Sequence, residues 1–183
     1  MAWTTPMTAV NNAVWTSAQF NTHVRDNLNE QAVTLASGTD PGQFFFSKDS
    51  TGELMMAKAA VHKISTNQTT TSSSYTDLAT VGPTVTVSST VAKAWTIVWG
   101  CRGLNTGADN PWLCSVDISG ATTLAAHDDR AIQSDGLSGS EPHRQFSVFR
   151  TNFNAGSTTV TMKYRVPAAT GSFMNRFLAV IPL

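Results

Sequence analysis

Short apolar-polar alternations separated by turn residues restrict the fold of this chain more than any other feature. Val85 and Val87 alternate with Thr84, Thr86 and Ser88, and Val160, Met162, Tyr164 and Val166 alternate with Thr159, Thr161, Lys163 and Arg165. A period of two sends one set of side chains to a core and the other to water, the pattern of half-buried antiparallel strands. Gly82-Pro83, Asn105-Thr106-Gly107, Ser119-Gly120, Asp135-Gly136 and Asn154-Ala155-Gly156 punctuate residues 75–183. That spacing predicts about eight short strands and no second helix. The expected fold class is mainly β, ending in an antiparallel β-sandwich of jelly-roll type.

Two segments break the alternation. AWTIVWG (94–100) and FMNRFLAVI (173–181) are apolar on both faces. On the last strand, strict alternation puts Phe173, Phe177, Ala179 and Ile181 on one side and Met174, Leu178 and Val180 on the other. A two-layer sandwich covers one face of each sheet, so the second face needs another cover, and the chain has no helix left to supply it. The pattern does not say which set faces outward; Leu178 and Val180 stand as candidates for a subunit interface.

Upstream, the chain divides into an N-terminal segment (1–15), a helix (16–37) and a hairpin stem (38–63), ahead of a head domain (64–183). Trp3, Pro6 and Trp15 lie in a segment without periodicity, where large aromatics call for a docking surface. Thr16 and Gln19 form a capping-box pattern, and Gly38 marks the helix end. Phe20, Val24, Leu28 and Leu35, with Gln31 in line, make a stripe too thin for an ordinary core and too short for a free coiled coil. Copies of the same helix would cover it, with Gln31 setting register. Packing on the chain's own sandwich is the alternative. Phe44 to Phe46 and Leu54 to Met56 flank the turn-rich Lys48–Gly52, a hairpin signature. Such a hairpin is too apolar to stand alone, which makes Phe44 and Leu54 interface candidates as well.

Charge narrows the partners. Only 13% of the 183 residues are charged, and 12 basic residues balance 12 acidic ones. A nucleic-acid partner is not expected, because phosphate contacts need a basic face. The N-terminus lacks a signal-peptide pattern and no apolar run is long enough to span a bilayer, so neither membrane nor secretion is expected. Cys101 and Cys114 lie on neighbouring predicted strands where a bridge is conceivable; a reducing compartment favours two free thiols.

The best chemical cluster is His127-Asp128-Asp129-Arg130, an imidazole and two carboxylates in a predicted loop that could bind a metal or move a proton. The competing reading is a solvated loop tip: no second histidine stands at ligand spacing, and adjacent carboxylates diverge in extended chain. Glu141 and His143 flank Pro142 in a Gly/Ser-rich loop, which reads as a turn. No nucleophile elbow, Cys-x-x-Cys pair or phosphate loop is present. Neither a catalytic residue nor a metal or other cofactor is expected. Trp112, after Pro111, reads first as a core or interface residue; stacking on a sugar, as a candidate ligand-binding position, is its alternative.

Trp3-Thr4-Thr5-Pro6, the capped helix carrying Asn21-Thr22-His23-Val24-Arg25-Asp26-Asn27-Leu28, and Gly42-Gln43-Phe44-Phe45-Phe46 through Gly52-Glu53-Leu54 resemble small virion proteins of tailed bacteriophages. Tyr164-Arg165-Val166 and Asn175–Pro182 are similar to the closing strands of their heads. The resemblance implies a homotrimer with a virion anchor at Trp3, Pro6 and Trp15, a helical and hairpin stem, and a jelly-roll head of C1q-like or fibre-tip type. It implies a non-enzymatic spike, fibre or decoration protein, assembled in the host cytoplasm and located in the virion. Its partners would be itself and other virion proteins of capsid, neck or tail. One departure is Asn11-Asn12, where relatives carry a glycine before the helix. Two alternatives stand beside this reading: a tail module binding a receptor or host cell-surface glycan, and a small hydrolase using the His127 loop.

Overall fold

The computed structural model describes residues 16–21, 24, 43–47, 54–107, 109–134 and 143–183. The chain divides into two units, Met1–Met56 and Ala57–Leu183.

In the first unit, α1 (Ser17–Phe20) begins at the expected capping box. Thr16 Oγ1 accepts from the Gln19 amide at 3.2 Å, and Gln19 Oε1 accepts from the Thr16 amide at 3.0 Å. Each side chain thus satisfies an amide that the first helical turn leaves unpaired. Phe20 is exposed and Val24 half-buried. The rest of the expected helix, with Leu28, Gln31 and Leu35, lies outside the described residues, as do Trp3, Pro6 and Trp15. β1 (Gln43–Ser47) and β2 (Leu54–Lys58) pair as a two-stranded sheet, the expected hairpin. The side chains of Phe44 and Leu54 are outside the described residues.

The second unit is an antiparallel sandwich. One sheet runs β3 (Ala60–Ile64), β11 (Gly171–Pro182), β6 (Lys93–Asn105), β9 (His143–Phe153), and the short β4 (Gln68–Thr70) also pairs with β11. The other runs β5 (Thr84–Ser89), β10 (Gly156–Arg165), β7 (Trp112–Gly120), β8 (Ile132–Ser134). With β4 set aside and the strands of this unit numbered along the chain from β3, the sheets read 1-8-3-6 and 2-7-4-5. Two interlocked Greek keys of this order make a jelly roll. The head boundary expected at residue 64 falls inside β3, whose pairing with β11 makes residues 60–63 part of the sandwich.

The alternating positions point as their period requires. Val85, Val87, Val160, Met162, Tyr164 and Val166 all enter the core. There they meet Trp95, Trp99, Trp112, Phe153 and Phe173 from β6, β7, β9 and β11. Trp95 stacks on Phe153 at 5.6 Å between centroids, and Phe173 lies 4.8 Å from the Tyr164 ring. Each such buried aromatic contributes about 1.5–3 kcal/mol, so this cluster dominates the head's stability.

β11 departs from simple alternation. Its pairing with β6 shifts between Met174↔Arg102 and Phe177↔Gly100, and Asn175 takes φ +49°. Asn175 and Arg176 therefore stand against Cys101 alone, a β-bulge that reverses the side-chain phase. Phe173, Arg176, Leu178 and Val180 face the core at 0% exposure, while Phe177, Ala179 and Ile181 are half-buried on the other face. Phe173 thus parts from Phe177, and the expectation that Leu178 and Val180 face a neighbouring subunit is corrected: they belong to the sandwich interior.

Candidate functional site

The outward face of the β3–β11–β6–β9 sheet is the most distinctive surface among the described residues. Strand register places Val61, Ala179, Val98 and Val148 in one row across all four strands. The adjacent row on the same face is Lys63, Phe177, Gly100 and Phe146. Phe146, Val61 and Val148 are 70%, 59% and 53% exposed. A Cβ at Gly100 would collide with the Phe177 ring, so the glycine lets that ring lie flat over β6. Isolated exposed apolar residues are ordinary; here Val61 and Val148 are exposed on the two edge strands, with Ala179 and Val98 half-buried between them, a continuous apolar row that makes this face the candidate interaction surface. Sequence reasoning found that β11 had a second apolar face. It missed Phe146 and Val148, whose signal lay in HRQFSVFR (143–150), where apolar residues occupy both phases of the alternation, and Val61, which stands in AVHKI (60–64) without such a signal.

The His127 cluster folds on itself. Asp128–Arg130 form a single 3₁₀ turn, and His127 Nδ1 accepts from the Asp129 amide at 3.3 Å. Arg165 on β10 grips Asp128, with Nε 3.0 Å from Oδ1 and Nη2 on Oδ2, and Tyr75 Oη donates to Oδ1 at 2.8 Å. The Arg165 hydrogen bonds hold the Asp128 carboxyl below its ordinary pKa and raise that of Arg165. Burial, then the bond to Asp128, raises the Tyr75 phenol. The surrounding cleft is open and about 400 Å³, with Ser73, Ser74 and Ala126 in its wall. Asp128 is thus an ion-pair partner with both oxygens engaged. Among the described residues no group of three or more His, Cys, Asp or Glu could hold a metal ion. Glu141 and Pro142 lie outside the described residues, and His143 begins β9.

Trp112 is a core residue, the reading its sequence favoured, and the alternative of an exposed sugar platform is corrected. It is 1% exposed, meets Phe173 edge-on at 5.9 Å, and rests over Gly103, where a Cβ would clash with the indole. Cys101 and Cys114 are free, buried thiols on facing sheets. Burial, together with hydrogen bonding to Cys101, raises the Cys114 thiol pKa well above the ordinary value.

No protein-family profile matches the chain, and no curated protein is similar to it. Among solved structures, it is similar to Eiger TNF from S. frugiperda, at TM-score 0.46 and 14% identity over 68% of this chain and 91% of that one. It is also similar to isomalto-dextranase of Arthrobacter globiformis T6 complexed with panose, at TM-score 0.33 and 15% identity over 52% of this chain and 15% of that one. No helix among the described residues is long and apolar enough to cross a membrane.

Proposed function

We propose that this chain is a non-enzymatic, homotrimeric structural protein of a bacteriophage virion, a spike, fibre or decoration protein. Its jelly-roll head would associate with copies of itself through the outward face of the β3–β11–β6–β9 sheet, and its N-terminal segment, with Trp3, Pro6 and Trp15, would dock on other virion proteins. The observation that carries the assembly is the row Val61, Ala179, Val98, Val148, flanked by Phe146 and Phe177. Covering such a face stabilises at about 25 cal/mol per Å² of apolar surface removed from water. With a formal net charge of zero, copies of the chain bring no global repulsion to one another. The virion assignment rests on the resemblance of the N-terminal segment, helix and hairpin. Supporting a role without catalysis, Asp128 is taken up by Arg165 and Tyr75, which removes the best base of the His127 loop. The glycan-binding alternative loses its stacking platform with Trp112 in the core.

The test is incorporation. Mass spectrometry of purified particles of the phage that encodes this chain should find it at a fixed copy number. A chain truncated before Thr16 should fold yet be missing from the particles. Absence of the full chain from purified particles would overturn the virion assignment, and normal loading of the truncated chain would overturn the anchor.

A further inference from the structure

The inward faces of β6 and β7 meet in register across the sandwich. Asn105 Nδ2 donates to the Pro111 carbonyl at 2.9 Å, which draws the two strands together where residues 106–111 join them. Next to this bond the Trp112 indole lies against Gly103, so closely that a Cβ there would clash with it. Side chains on one face of a strand recur every second residue, so two residues further from the turn on each strand Cys101 faces Cys114. The Trp99 indole, the next inward residue of β6, donates to the Cys114 carbonyl at 3.4 Å and fixes the same alignment. The two thiols hydrogen-bond to one another, and at 1% and 0% exposure both lie in the core. Thiols already in contact need only a small approach of their strands to reach the Cα separation of about 4.4–6.8 Å that a disulfide spans.

The bulge in β11 supplies a way in. Asn175 and Arg176 stand against Cys101 alone, and the cleft of about 470 Å³ beside them, walled by Lys63, Ser65, Asn175 and Phe177, has Cys101 in its lining. Cys101 is therefore the thiol that a small reagent meets first, with Cys114 behind it.

We propose that Cys101 and Cys114 are a modification site, a dithiol that hydrogen peroxide converts into a disulfide joining the two sheets. In the first step Cys101 Sγ attacks one peroxide oxygen. An S–O bond forms, the O–O bond breaks, and the thiol proton leaves with the second oxygen as water. In the second step Cys114 Sγ attacks the sulfur of the Cys101 sulfenic acid. The S–S bond forms, the S–O bond breaks, and the departing hydroxyl takes the Cys114 proton as a second water. One peroxide is reduced to two waters and two thiols are oxidised. Burial raises the Cys114 thiol pKa and contact with Cys101 adds to this, which makes the second step slow; the nearby Arg176 guanidinium acts in the opposite sense by favouring the thiolate. Neither the virion role nor self-association is needed for this chemistry. A reducing compartment keeps the pair as thiols, and an oxidising one closes it.

The full chain, first reduced and then held in millimolar hydrogen peroxide, tests the site. After quenching, unfolding in denaturant and maleimide labelling, the reduced chain should take a label on both cysteines and the treated chain on neither; oxidised methionines do not enter this count. Peptide mapping should find Cys101 joined to Cys114 within one chain. The treated protein should melt several degrees higher, because the cross-link restricts the unfolded chain, and dithiothreitol should undo the rise. Cys114→Ala should instead hold Cys101 as a sulfenic acid that dimedone traps. Full labelling after a day in peroxide with the fold intact overturns the proposal, as does sulfinic acid at Cys101 beside a free Cys114 thiol. A linkage between chains, a linkage formed only in denaturant, or a cross-linked form that melts lower also overturns it. Sedimentation of the same samples reads the assembly independently. A trimer without the cross-link refutes only the dithiol, and a cross-linked monomer refutes only the assembly.

Discussion

Arg176 and Tyr164 donate to the same atom, the carbonyl oxygen of Gly82. Tyr164 Oη reaches it at 2.9 Å and Arg176 Nη1 at 3.1 Å, with the guanidinium 5.5 Å from the Tyr164 ring centroid. These contacts tie β10 and β11, one from each sheet, to the turn before β5. Arg176→Ala would open a cavity in the core and take the guanidinium from the carbonyls of Thr66 and Thr80. Gly82 keeps Tyr164 and Gln68 keeps the Thr80 amide, so a loss of about 3 kcal/mol is expected, most of it from the cavity. Arg176→Met fills most of the volume and should cost less. Denaturant unfolding measures both; unchanged stability in the alanine variant contradicts the role assigned to this residue.

The Asp128–Arg165 pair gives a pH dependence of known sign. Because the Arg165 hydrogen bonds depress the folded-state pKa of Asp128, the pair's stabilisation is present above the ordinary carboxyl value of 3.8. It is lost as pH falls through the lower folded-state value. The Asp128 side chain is 49% exposed, so solvent screening limits the gain to about 1 kcal/mol or less. Asp128→Asn should therefore lower the melting temperature slightly at neutral pH, and the gap should close in acid. A gap that widens as pH falls would reverse the assignment.

Gly103 is set by its neighbour across the core. A methyl group there would enter the Trp112 ring, which is packed edge-on against Phe173 and cannot retreat without disturbing it. Gly103→Ala should cost about 1–3 kcal/mol through overpacking, read as a lower melting temperature. An unaffected melt would show that Trp112 has room to move.

Much of the head was legible in its sequence wherever alternation ran unbroken. Val160, Met162, Tyr164 and Val166 share one face because nothing in β10 disturbs a period of two. The Thr16–Gln19 box was equally readable, because capping is a local exchange of hydrogen bonds. β11 was legible only in part. Its second apolar face showed in the composition, but Asn175 gave no sign that it would take a left-handed conformation and invert the phase after Phe173. Arg176 was hidden for a related reason. Arginine is rarely fully buried, and only the fold brings the oxygens of Thr66, Gln68, Thr80 and Gly82 around it. Trp112 beside a turn read first as a core or interface residue, and the fold that sets it over Gly103 removes the exposed-loop alternative.

The claim that the outward face of the β3–β11–β6–β9 sheet joins copies of this chain is tested most directly by sedimentation equilibrium of the full chain at micromolar concentration. Two variants belong in the same experiment. Phe146→Asp alters a side chain that is 70% exposed in the single chain, whereas Leu178→Asp puts a carboxylate into the core. The account predicts three times the mass of one chain for the unmodified protein, a folded monomer with a near-normal melt for Phe146→Asp, and loss of folding for Leu178→Asp. An unmodified chain that sediments as a monomer, or a Phe146→Asp variant that remains fully trimeric, would contradict it.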